Sequence, residues 1–147
     1  MRDINFINSL EFSVDILFNK ADYDTLVFSE VKFLENYTRY QSLNIWFLVA
    51  KCDNKIEQIS FVRNSTVKFE GKIGIGDKIS KVYDYLGDCE TQGRIYEPIN
   101  KEGVLFEVEN KRGSDRIESF TIFRPRVFLG VLPSHIADNL KGVKKLP

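Results

Sequence analysis

The stretch Leu43 to Cys52, LNIWFLVAKC, is apolar at both alternating sets of positions through its middle. A strand carries such a run only when both of its faces are covered, so this segment is predicted to lie at the centre of a sheet. Asp53-Asn54-Lys55 interrupts the run with turn-forming residues, and 55–62 resumes it, which predicts an antiparallel hairpin. A covered central hairpin needs neighbours on each side, and much of the remaining sequence supplies candidates. In Leu10 to Phe18, the residues Leu10, Phe12, Val14, Ile16 and Phe18 fall on one face, with Glu11, Ser13 and Asp15 on the other. That is the two-residue alternation of a half-buried strand. Asn19 to Asp22 reads as a turn. Between Thr25 and Tyr40 the pattern is mixed: Val27, Val31 and Leu34 fit helical spacing, while the β-branched and aromatic content favours strands.

The punctuation of the chain changes at residue 71. All nine Gly and all four Pro lie at or after it, so Asn and Asp are expected to serve the earlier turns, because both tolerate left-handed backbone geometry. Strand character continues through Thr66 to Glu70. The segment Gly71 to Gly87, GKIGIGDKISKVYDYLG, then predicts a short amphipathic helix over about 78–86. Asp77 is its expected N-cap, Ile79, Val82, Tyr83 and Leu86 form one apolar stripe, and Gly87 ends it. Further strands are predicted at Arg94 to Glu97, Gly103 to Glu109, Arg116 to Phe123 and Val127 to Leu132, followed by a small helix from His135 to Leu140 and a basic tail. No internal repeat is visible. The expected fold is therefore α+β: a mainly antiparallel sheet of seven or eight strands, curled or two-layered, with the 78–86 helix packed on it and a small C-terminal helix. The 147 residues suit a single domain, 1–147, with a core of ordinary size.

Composition removes several classes of function. Lys+Arg and Asp+Glu are equal at 21 each, which argues against bulk attraction to nucleic acid or anionic membrane. Residues 1–50 hold 4 basic and 7 acidic side chains, a net charge of −3, whereas residues 101–147 hold 9 and 6, a net charge of +3. The basic cluster Lys111, Arg112, Arg116, Arg124 and Arg126 lies on or beside one predicted hairpin, where solvated cross-strand pairing is the expected role. No apolar stretch of the roughly 7–15 residues that a signal peptide needs follows Arg2, and no run approaches the roughly 18 that span a bilayer, so a cytoplasmic protein without membrane contact is expected. Cys52 and Cys89 are expected to be free thiols.

No catalytic constellation stands out. Two Cys and one His fall short of a zinc site, which needs about four ligands, and no other metal or cofactor site is visible. Gly74-Ile75-Gly76-Asp77 tests poorly as a phosphate cradle: Ile79 stands where a dinucleotide fingerprint needs Gly, and Asp77 would repel the anion. His135, the only histidine, has no nucleophile-elbow Ser or Cys to serve. Carboxylate pairs such as Asp22/Asp24, Asp84/Asp88 and Glu107/Glu109 share a face by spacing alone, which does not bring them into a cleft.

The turn Gly74 to Asp77, the helix Ile79 to Leu86 ending in Leu-Gly, the strand around Ile95-Tyr96 and the hairpin of Gly103 to Glu107 with Ile117 to Phe123 together resemble small bacterial toxin-immunity proteins. Similar turn–helix–Leu-Gly arrangements occur in small inhibitor and outer-membrane-assembly lipoprotein domains. The resemblance covers about a third of the chain. It implies a non-enzymatic protein that binds one cognate toxin domain, needs no cofactor, and steers a basic partner with its acidic early segment, Asp15, Asp22, Asp24, Glu30 and Glu35. The rival expectations are a small-molecule ligand-binding domain lined by some of the twelve Phe and six Tyr, a carboxylate-dependent hydrolase, and an assembly subunit.

Overall fold

A computed structural model describes residues 5–7, 10–23 and 26–124. Two short strands, β1 (Asn5–Ile7) and β2 (Leu10–Phe12), pair with one another. After a single 3₁₀ turn at Lys20–Tyr23 come β3 (Glu30–Phe33), β4 (Tyr37–Gln41), β5 (Ile45–Ala50) and β6 (Ile56–Val62). A crossover carries the two-residue strands β7 (Lys68–Phe69) and β8 (Ile73–Gly74) and the helix α1 (Ser80–Leu86). The chain then adds β9 (Cys89–Gln92), β10 (Ile95–Pro98), β11 (Val104–Val108) and β12 (Ile117–Phe123). Eight of these strands form one antiparallel sheet in the order β3-β4-β5-β6-β12-β11-β10-β9. The α+β, mainly antiparallel reading thus stands, and the predicted central hairpin is β5–β6.

That order is two four-stranded meanders joined back to back at β6 and β12, and their pairing repeats residue for residue. Ile45 faces Phe61, Phe47 faces Ile59 and Val49 faces Ile56 in the first half. Val104 faces Ile122, Phe106 faces Phe120 and Val108 faces Ile117 in the second. The register slips at the same place in both, between Leu48 and Val49 and between Glu107 and Val108, and in each the residue skipped is a glutamate, Glu57 or Glu118. The central strands share a motif. Ile56-Glu57-x-x-Ser60-x-x-Arg63 recurs as Ile117-Glu118-x-x-Thr121-x-x-Arg124. Ser60 and Thr121 face one another across the junction with their hydroxyls 2.8 Å apart, and beside them Phe61 and Phe120 stack with centroids 4.7 Å apart. A local two-fold therefore passes through the middle of the sheet. The expectation of no internal repeat is corrected: three identical residues in eight and one Ser/Thr match, with different residues between them, are too few to see without the pairing.

One face of the sheet carries an aromatic core. In the first half the segment after β2 crosses it, so that Phe12, Phe18 and Tyr23 pack on Phe47, and Phe18 stacks on Tyr40 at 4.5 Å. In the second half Val82 of α1 is fully buried in that core, and Tyr83 meets Tyr96, the counterpart of Tyr40, edge-on at 6.3 Å. The apolar stripe on 12, 14, 16 and 18 does face the core, but the predicted continuous strand does not form. It ends at Phe12, and Asp15 takes a positive φ of 63°. Strand character also shrinks in Thr66 to Glu70, where only Lys68–Phe69 pairs. Among the described residues of the 25–40 segment, β3 and β4 form as strands, as its composition favoured, and 26–29 are irregular.

The early turns are served as predicted by Asp15 and Asn54, but Arg63 and Glu70 also adopt positive φ, at 51° and 50°. Such backbone costs a residue with a Cβ roughly 1–2 kcal/mol, so tertiary contacts must hold it. Asp77 does not cap α1. The cap position is Ile79, without a side-chain hydrogen bond, while Asp77 Oδ2 accepts the Gly74 amide at 2.8 Å and closes the turn. Gly76, at φ 90°, sends its amide to the Ile117 carbonyl, which pins that turn to β12. Helix α1 starts two residues later than predicted and ends as predicted, with Gly87 at φ 87° donating to Tyr83. The thiols of Cys52 and Cys89 are both free. The predicted strand at Val127 to Leu132, the helix from His135 to Leu140, Arg126 and the basic tail lie outside the described residues.

Candidate functional site

The five acidic residues singled out by sequence do not gather in one place. Asp15 belongs to an ionic clamp. Arg124 closes β12, sends its backbone amide to the Glu57 carbonyl and its Nε to the Glu57 carboxylate, and reaches Asp15 at 3.0 Å and Asp53 at 3.1 Å through Nη1. Lys55 adds a longer contact to Asp15 at 3.9 Å. Glu57 is fully buried, so the clamp neutralises a carboxylate that water cannot reach. Burial alone would lower the Arg124 pKa, but the hydrogen bonds it donates to Glu57, Asp53 and Asp15 outweigh it and hold the guanidinium charged. The same bond to Arg124, with help from the Lys55 amide, draws the Asp53 pKa below its ordinary value. This arrangement locks the segment after β2 to the β5–β6 turn and to the end of β12. Sequence reasoning placed Arg124 in a surface cluster, because nothing local shows that it meets residues about seventy and a hundred positions away.

Asp22 is exposed in the 3₁₀ turn and Glu35 is exposed in the β3–β4 turn. Glu30 begins β3, and Asp24 lies outside the described residues. Glu30 and Glu35 stand at the two ends of β3, which is an edge strand among the described residues. β3 pairs with β4 on one side only and has no strand on the other among the described residues. Its apolar side chains are not covered: Phe33 is 73% exposed and Val31 38%. At the far end of β4, where the Ser29 amide bonds the Gln41 carbonyl, Val27 is 80% exposed and Leu43 71%. Exposed apolar groups on an unpaired edge are what natural sheets ordinarily avoid.

The opposite edge is chemically different. β9 carries Glu90, Thr91 and Gln92, all exposed. Glu90 stands directly across from Glu97 of β10, and with Glu102, Pro98, Ile99, Gly103 and Phe123 these line a cleft of about 240 Å³. Burial, then the neighbouring Glu90, pushes the Glu97 pKa up. The sequence pairs by spacing, Asp84/Asp88 and Glu107/Glu109, do not form such a site. Glu107 instead bonds Arg94 at 3.2 Å and accepts from Ser119 at 3.3 Å, and burial raises its pKa against the opposing pull of Arg94. Glu90 and Glu97 were missed because they meet only through hairpin register. The signal was present in Gln92-Gly93-Arg94, whose short turn fixes that register.

No group of His, Cys, Asp and Glu among the described residues is arranged to hold a metal ion. Among the same residues no helix is long and apolar enough to cross a membrane. No protein-family model, curated protein or solved structure matches the chain.

Proposed function

We propose that this chain is a non-enzymatic cytoplasmic binding protein that holds and neutralises a cognate bacterial toxin domain. The observation that supports it is the surface of the N-terminal half, where exposed Val27, Phe33 and Leu43 stand in the stretch of chain that carries the net charge of −3. Apolar side chains supply desolvation energy on association, and exposed carboxylates of the same half, such as Asp22 and Glu35, speed the approach of a basic partner. The test is to purify the tagged chain from its native cells at low and moderate salt. One stoichiometric partner is expected, whose toxicity is silenced by co-expression of this chain. Absence of any partner in cells that express the neighbouring genes overturns the reading.

The cleft between Glu90, Glu97 and Glu102 favours a second reading, a small cationic ligand. Ligands that bind only the folded chain raise its melting temperature, so a thermal-shift screen of metabolites separates the two. Carboxylate-dependent hydrolysis at this cleft would be lost on Glu97→Gln with the fold intact.

A further inference from the structure

We draw no further inference here: the strongest candidate, the β3 edge that is unpaired on one side among the described residues and exposes Val31 and Phe33, carries nothing because nothing in the structure shows what covers it.

Discussion

The two halves of the sheet share one plan and differ in what closes it. Phe47 and Phe106 occupy corresponding positions, as do Tyr40 and Tyr96, and the glutamates Glu57 and Glu118 are skipped at corresponding slips of register. Yet the first half lies under an irregular segment with a 3₁₀ turn, while the second lies under the helix α1. Glu57 is buried against Arg124, whereas Glu118 is exposed and shares Arg94 with Glu107. The backbone pattern of a meander depends on pairing geometry and core volume, which many sequences satisfy. Covers and edges face solvent and are free of that pairing geometry, so they can differ between the halves.

The largest effect should test the shared part. Phe47→Ala and Phe106→Ala are each expected to destabilise the chain by about 3–5 kcal/mol, since both side chains are fully buried. Chemical denaturation measures both, and a cost confined to one would break the equivalence of the halves.

The next test concerns the part that differs. Arg124→Met leaves Glu57 buried without its cation and should cost about 3–5 kcal/mol. Arg63→Met, at the corresponding but exposed position, should change stability by less than about 0.5 kcal/mol. The clamp also predicts an acid dependence. Because the folded Asp53 pKa lies below its ordinary 3.8, its contribution is present above that value and fades as pH falls through the folded one. Arg124→Met should flatten this acid arm, which denaturation across pH would show.

The smallest effect is at the polar edge. Glu97 corresponds to Gln41, so Glu97→Gln installs the residue of the other half. A carboxyl whose pKa is raised on folding favours the folded state below its ordinary 4.5 and opposes it as pH rises. The substitution should therefore stabilise at neutral pH by less than about 1 kcal/mol and lose that gain in acid. An unchanged melting temperature at pH 7 would show that Glu90 and Glu97 do not repel.

Much of this was readable locally. The doubly apolar run of β5 fixed a covered central strand, its turn fixed the β5–β6 hairpin, and the stripe with Gly87 fixed the end of α1. Period and turn chemistry act over a few residues, and in these elements the tertiary contacts agree with them. The break at Asp15 was not readable, because alternation continued through it. The bend is set by the Asp15 amide bonding the Ile56 carbonyl and by Arg124 holding its carboxylate. Asp77 had the sequence of a cap, but the nearer Gly74 amide claimed its carboxylate.

By itself, then, the sequence determined the strand-rich class, the position of the helix and which faces are apolar, because these follow from side-chain periodicity. Only the tertiary structure decided that two meanders meet about a two-fold at Ser60 and Thr121, that Arg124 closes on Glu57, and that β3 rather than β9 is the open apolar edge. Those outcomes rest on pairings between residues tens of positions apart, whose register is set by the assembled sheet and is carried by no short stretch of chain.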